Sequence, residues 1–285
     1  MAYRYGTNEA LMKKLKTFLV FFEVYTLIAR ILNHVVKLKS MNVQRYGKSF
    51  LVTGNLEYFT FWKFKSWEKN TYKIFDKFLD SDHSYIDIGA WIGPTILYGA
   101  QIAKKVYAVE PDPVAFKELE KNVSLNPELK EKIILHKKCL NSTPGKVKFG
   151  NMVRGGNTTS SLVFADSKTS WIVDGITFNE FIKENTIHDC NFIKMDIEGG
   201  EAIVLPTMKE YLEKNKPVLY LSMHPPFFKS PTEDITKIFN ILSVYKNIFL
   251  DTGEKIKLND LLTKHRLTKC YAVVVTDEDF DTEKQ

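Results

Sequence analysis

Cysteine is scarce in this chain and badly placed for pairing. Cys139, Cys190 and Cys270 are odd in number, far apart and form no C-x-x-C, which speaks against a disulfide framework or a zinc cluster and for a reducing, cytoplasmic setting. Long apolar runs are missing too. The longest in the N-terminal region is residues 18–22, and Glu23 and Arg30 interrupt the apolar stretch beyond it, whereas a membrane-spanning helix needs about 20 largely uncharged residues. No short apolar core with an Ala-x-Ala-like end marks a cleaved signal peptide. Fourteen glycines and ten prolines in 285 residues exclude a collagen-like chain. What is present is core material. With 44% hydrophobic and 13% aromatic residues, the chain is too apolar for disorder and can build one large domain with appendages.

The net charge of +6 is unevenly placed. Residues 1–50 hold nine Lys and Arg against two acids, a surplus of +7, which leaves 31 bases against 32 acids in the other 235 residues. That larger part is near neutral and has no basic stripe, so no nucleic-acid partner is expected. Residues 9–38 lack Pro and Gly, and Lys16, Glu23, Arg30 and Lys37 recur every seven positions, the mark of a helix with a narrow polar stripe and a wide apolar face. Such a helix either lies in a membrane interface, with Lys13, Lys14 and Lys16 near anionic headgroups at the inner face, or packs on its own domain or on a second copy.

The pattern divides the chain into four. Residues 1–45 carry this basic helix, 46–80 an aromatic-rich cover and lead-in helix, 81–277 the main domain and 278–285 an acidic polar tail. Residues 44–66 are rich in aromatic and β-branched side chains broken by Thr53, Gly54 and Asn55, which reads as a hairpin or an irregular cover. Residues 67–79 have apolar positions at helical spacing. Beyond them strands are expected at 85–88, 106–109, 133–136, 192–195, 218–221, 247–250 and 271–275, with helices at 95–103, 113–122, 178–185, 201–207 and 232–242. Such alternation means an α/β fold with a mostly parallel sheet and a ligand crevice at the strands' C-terminal ends. The last two strands lack a long helix between them and suit an antiparallel edge pair. One segment departs: 146–149 and 161–164 flank a loop, 150–160, rich in Gly, Asn, Ser and Thr, readable as a hairpin tip or as a substrate-facing loop.

The sharpest local signal is residues 85–94 (YIDIGAWIGP), an apolar strand running through a glycine turn into a helix. Gly89 lets the chain turn against a ligand, and Gly93 allows close approach where helix N–H groups point outward. A dinucleotide fingerprint needs G-x-G-x-x-G. Here the spacing is G-x-x-x-G with Asp87 two positions upstream, and that acid would repel a pyrophosphate but suit an amine-bearing ligand. S-adenosylmethionine is therefore favoured over NAD. Glu110, 23 residues beyond Asp87 at the end of the second strand, can accept both ribose hydroxyls of either cofactor, and Asp112 is placed with it on the cofactor side.

The fourth strand runs into a second acidic group, residues 192–201 (FIKMDIEGGE). Period-two alternation puts Lys194, Asp196 and Glu198 on one side. Carboxylates crowded beside a lysine suit a general base or a divalent cation, while helix capping alone accounts for Glu198 and Glu201. His224, before Pro225 and Pro226, reaches the same rim with an ordinary pKa near 6.5 that suits proton transfer, unless it only shapes the turn.

Together, residues 86–93 (IDIGAWIG), 109–112 (VEPD) and 192–201 resemble the FkbM family of S-adenosylmethionine-dependent methyltransferases, over about residues 65–275. Trp67 and Glu68, upstream of the glycine turn, are also similar to the family pattern, which adds Glu68 to the cofactor side. The resemblance implies a seven-stranded Rossmann-like sheet in the order 3-2-1-4-5-7-6, strand seven antiparallel, with helices on both faces. It also implies O-methylation of a small-molecule or glycan acceptor such as a sugar or a polysaccharide precursor. By motif, Asp87, Gly89, Ala90 and Gly93 surround the methionine part, Glu110 binds the ribose, and Cys139 and Leu140 contact adenine. Members often have Glu near the end of strand five; this chain has Ser222 and then His224. The expected base is Asp196, then His224, with Lys194 orienting the acceptor and Asp196, Glu198 and Glu201 available to Mg²⁺. The competing readings are an NAD-dependent sugar-modifying enzyme and an inactive membrane-attached scaffold.

Overall fold

The computed structural model describes Val24, Ile28 and residues 40–63, 68–152 and 154–280. Apart from Val24 and Ile28, the expected helix over 9–38 lies outside the described residues, as do Trp67 and the end of the acidic tail. The first element is an antiparallel hairpin of β1 (Ser40–Arg45) and β2 (Lys48–Thr53). Its two-residue turn, Tyr46 and Gly47, has positive φ at both positions, 42° and 83°, the geometry that matches strand twist in tight hairpins. The hairpin therefore turns at 46–47 and not at 53–55, and residues 56–63 form short helical turns that bury Tyr58 and Trp62. Next, α1 (Lys69–Phe78) buries Tyr72, Ile74, Phe75 and Phe78 along one face.

The alternating region then builds β3 (Ser84–Ile88), α2 (Pro94–Gly99), β4 (Lys105–Val109), α3 (Pro113–Ser124) and β5 (Ile133–His136). A smaller unit comes after it, of β6 (Cys139–Leu140), β7 (Gly145–Asn151), β8 (Ser160–Ser161) and β9 (Thr169–Ile176). The chain continues through α4 (Phe178–Glu184), β10 (Cys190–Met195), α5 (Glu201–Val204), β11 (Val218–Met223), α6 (Pro231–Leu242), β12 (Asn247–Leu250) and β13 (Tyr271–Thr276). The main sheet runs β5-β4-β3-β10-β11-β13-β12, and β13 is antiparallel to both neighbours. Counting only these seven strands, the order is 3-2-1-4-5-7-6.

Alternation along the strands splits the core between the two sheet faces. Tyr85, Val106, Phe192 and Tyr220 pack with α1 and the hairpin on one side. Ile86, Ile88, Ile193, Met195 and Leu221 pack with Phe178, Phe181, Met208 and Ile238 on the other. The smaller sheet runs β6-β9-β7-β8 and corrects the expected hairpin. The long partner of β7 is β9, while β8 pairs over two residues and 162–164 form a 3₁₀ turn.

Candidate active site

The glycine turn after β3 is pinned from both sides. Gly89 and Ala90 donate their N–H groups to the Val109 carbonyl at 2.9 and 3.1 Å, and Asp196 N–H donates to Ile88 O at 2.9 Å. Gly89 has φ 91°, and a Cβ there would stand 1.9 Å from the Asp196 carbonyl oxygen. Only glycine lets the two motifs come this close. The turn leads to α2, whose N-cap is Gly93 at φ 96°. This helix is six residues long, shorter than the window 95–103.

One cavity of about 420 Å³ opens at the C-terminal ends of β3, β4, β10 and β11. Its first end is walled by Gly89, Ala90, Trp91, Glu110, Cys139 and Leu140, its second by Glu68, Lys194, Asp196, Glu198, Ser222 and His224. Glu110 accepts the N–H of Trp91 at 2.8 Å and of Asp112 at 2.7 Å; even so, burial, with the Asp112 carboxylate adding to it, pushes Glu110 up to about 8. Burial likewise drives the Cys139 thiol up to about 12, so Cys139 is a neutral wall group.

The second end is an ionic network. Lys194 is 3% exposed, with its Nζ 3.4 Å from Asp196 Oδ2 and 3.8 Å from Asp87 Oδ1. Burial pulls the ammonium pKa down, yet Asp196, Asp87 and Glu68 outweigh it and shift it upward. Asp196 is the converse: burial raises it, but Lys194, His224 and the Ser222 hydroxyl hold it below the usual carboxylate range. Glu68, at φ 49° before α1, turns a buried Oε2 without a hydrogen-bond partner into this surround, and burial, opposed by Lys194 and reinforced by Asp196, lifts it to about 7. Asp87 accepts from the Tyr85 hydroxyl and, at 2.5 Å, from Thr95 Oγ1, which leaves its Oδ1 facing Lys194. Among the described residues, Glu68, Asp87, Glu110, Asp196, Glu198 and Glu201 share the region with two cationic side chains, Lys194 and His224; burial holds Glu110 and Glu198 protonated, and a bound sulfonium or ammonium group would favour their ionised forms.

Several expected roles change. His224 shares a hydrogen bond between Nδ1 and Glu201 Oε1 at 2.9 Å, and its Nε2 is 3.6 Å from both Asp196 Oδ1 and Glu198 Oε2. Burial lowers its pKa, but the three carboxylates carry it up to about 10, so His224 is an imidazolium near neutrality and not the base its ordinary pKa suggested. Glu201 does not line the cavity: its two oxygens accept Ile197 N–H at 3.1 Å, Gly199 N–H at 2.9 Å and the His224 ring. The set expected for Mg²⁺ therefore does not form, and the groups that converge are Asp196, Glu198 and His224. Glu198 itself is pushed up to about 8 by burial, against the pull of His224.

Asp112 also stands off the cavity wall. Its Oδ1 caps α3 by accepting from Val114 and Ala115 N–H, and its Oδ2 accepts from Gly156 N–H at 2.7 Å and Ser160 Oγ at 2.6 Å. It is a latch on the loop 154–161, where a cofactor contact was expected. Asp87 and Gly93 are likewise absent from the wall. Sequence reasoning missed Trp91, Phe149, Cys270 and Tyr271, which line the cavity beside Asn157, Thr158 and Ser160 of the flagged loop. The antiparallel last strand was the available signal for Tyr271, because it starts where the neighbouring β11 ends, opposite Met223.

Residues 87–249, more than half of the chain, match the profile described as the methyltransferase FkbM domain. No curated protein matches in sequence. Among solved structures, an FkbM methyltransferase from Methylobacillus flagellatus KT is similar, at 20% identity and TM-score 0.45 over 68% of this chain and 44% of that one. The chain thus spans under half of that relative's length. Also similar are precorrin-6y C5,15-methyltransferase from Geobacter metallireducens (12% identity, TM-score 0.40, covering 73% and 85% of the two chains) and SMU.1697c from Streptococcus mutans, solved with SAH (10%, 0.42, 72% and 94%). With a glycine turn built for close ligand approach, a strand-end acid beside it and the profile spanning both motifs, the chain belongs to the FkbM family of S-adenosylmethionine-dependent methyltransferases.

Proposed function

We propose that the chain transfers the methyl group of S-adenosylmethionine to a hydroxyl oxygen of a sugar, glycan precursor or related metabolite. The observation that carries this reading is the single cavity joining the Gly89, Ala90 and Glu110 end to the Lys194, Asp196 and Glu198 end. Its volume lies in the range of small-molecule sites, and its acidic lining, which a cation would draw toward ionisation and an anion would not, favours a cationic donor over a pyrophosphate-bearing dinucleotide. The acceptor oxygen attacks the sulfonium methyl in line: the O–CH₃ bond forms, the S–CH₃ bond breaks, and the hydroxyl proton passes to Asp196. Asp196 is available because Lys194 and His224 keep it ionised. Since the donor is already activated, fixing the two reactants supplies much of the rate, and Lys194 fixes Asp196.

The test is labelled-methyl transfer to glycan and sugar acceptors, read as a gain of one methyl group, alongside calorimetry with S-adenosylhomocysteine and NADH. Binding of S-adenosylhomocysteine is expected; tight binding of NADH alone overturns the reading. Asp196→Asn should lower kcat by about 10²–10⁴ while cofactor affinity stays within about threefold. Near-full turnover would remove Asp196 as the base. No helix among the described residues is long and apolar enough to cross a membrane. In this reading residues 9–38 lie on the inner membrane face, on their own domain or on a second copy; vesicle co-sedimentation marks the first, misfolding on deletion of residues 1–40 the second and a monomer–dimer measurement the third.

A further inference from the structure

We infer that Asp196, Glu198 and His224 form a site for a divalent cation of the manganese-to-zinc series at the acceptor end of the cavity, one that prefers such ions to Mg²⁺. The donor atoms already converge. His224 Nε2 lies 3.6 Å from Asp196 Oδ1 and from Glu198 Oε2, and all three donors fall within 4.8 Å of one another. Ligands about 2.1 Å from a tetrahedral ion stand about 3.4 Å apart, so the imidazole–carboxylate spacings need to contract by only a few tenths of an ångström.

The orientation of the ring is a separate observation. Glu201, outside the ligand set and 0% exposed, holds Nδ1 at 2.9 Å and is itself held by the N–H groups of Ile197 and Gly199. Phe227 stacks on the imidazole with an interplanar angle of 10°. A carboxylate on one ring nitrogen that aims the other at open donors is the arrangement that fixes metal-bound histidines. Here it aims Nε2 at two carboxylates on the cavity wall, and a cation seated between them displaces the proton that those carboxylates otherwise hold on the ring.

A third observation concerns satisfaction. The Glu198 carboxylate accepts no hydrogen bond from the described residues; its partner is His224 at 3.6 Å. The buried Oε2 of Glu68, also without a hydrogen-bond partner, opens on the same cavity. Carboxylates left this way draw a cation. The nitrogen donor decides which: Mg²⁺ demands oxygen ligands, whereas imidazole suits Mn²⁺, Fe²⁺, Co²⁺ and Zn²⁺. A cation here faces the place where charge develops on the acceptor oxygen. That use rests on the methyl-transfer reading, but the binding does not.

The experiment titrates Co²⁺, Zn²⁺ and Mg²⁺ into the full chain after EDTA treatment and desalting, by calorimetry and by the visible absorption of bound Co²⁺. S-adenosylhomocysteine binding is measured on the same samples. We expect one equivalent of Co²⁺ or Zn²⁺, bound at least about tenfold more tightly than Mg²⁺, and at least about a tenfold loss of affinity in His224→Gln or Glu198→Gln, with the cobalt spectrum altered in the His224 variant. Absence of saturable Co²⁺ and Zn²⁺ binding, equal or tighter Mg²⁺ binding, or wild-type Co²⁺ affinity in both variants overturns the site. Failure of S-adenosylhomocysteine binding with the cobalt spectrum intact overturns the methyl-transfer reading and leaves the metal site standing.

Discussion

Asp112→Ala and Asp112→Asn remove different parts of one contact set, and comparing them tests whether this acid is a latch or a ligand. In the wild type Oδ1 caps α3 through Val114 and Ala115 N–H, while Oδ2 holds Gly156 N–H and the Ser160 hydroxyl. Alanine loses both. The cap is worth about 1 kcal/mol, and leaving the buried Gly156 N–H without a partner costs about 1–3 kcal/mol more. The total of roughly 2–4 kcal/mol lowers Tm by roughly 4–16 °C for a domain of this size. Asparagine keeps an oxygen toward α3 but turns an N–H₂ group toward Gly156 N–H, so it loses the latch alone, about 1–3 kcal/mol. Ser160 can rotate and accept from the amide; the Gly156 backbone cannot. Hydrogen exchange separates the pieces: amides of 154–161 should exchange faster in both variants, amides at the start of α3 only in the alanine variant. Cofactor affinity should fall together with Tm, because Asn157, Thr158 and Ser160 line the cavity. If Asp112→Ala instead loses cofactor affinity with Tm unchanged, Asp112 is a direct ligand and the reassignment is wrong.

The same geometry makes two more predictions. Gly89→Ala should abolish S-adenosylhomocysteine binding and destabilise the fold by several kcal/mol, because its Cβ would stand 1.9 Å from Asp196 O at a φ of 91° and both motif backbones must separate; calorimetry showing near wild-type affinity would refute this. Glu110 has its folded pKa raised from 4.5 to about 8 by burial. Its stabilising contribution is therefore present below about pH 4.5 and lost as pH rises through 8. In urea unfolding of the cofactor-free chain, Glu110→Gln should flatten that decline, with a difference of at most about 5 kcal/mol at the alkaline end. Parallel pH profiles for the two proteins would show that Glu110 does not carry it.

Much of the fold can be read from the chain because its determinants are local. The strand windows 85–88, 106–109 and 192–195 fall inside β3, β4 and β10, since buried parallel strands write themselves as short apolar runs between turn residues. Gly89 is legible for a similar reason: its demand for positive φ is a property of one residue. The pairing of β7 with β9 is not, although β9 alternates cleanly from exposed Ile172 to buried Val173. A long loop separates the two strands, and the nearer segment at 161–164 is equally apolar. Tyr46 and Gly47 escape a reading by composition because Thr53, Gly54 and Asn55 carry the stronger turn signal, yet it is backbone twist that selects the turn.

The acidic group shows where legibility ends. Alternation puts Lys194, Asp196 and Glu198 together, and all three line the cavity, but it has no means of sorting Glu198 from Glu201. That sorting is made by Ile197 and Gly199 N–H groups, which take up the Glu201 oxygens as α5 begins and leave Glu198 facing the open space. His224 depends on the same step. Its ordinary pKa favours a base, and burial alone would push it further that way; the carboxylates of Asp196, Glu198 and Glu201 reverse the direction. Those carboxylates sit 23 to 28 positions earlier in the chain, on a turn whose course is set by Gly199 at φ 96°. The residue type of His224 therefore names a range of chemistries, and a backbone turn after β10 chooses among them by deciding which carboxylates the imidazole meets.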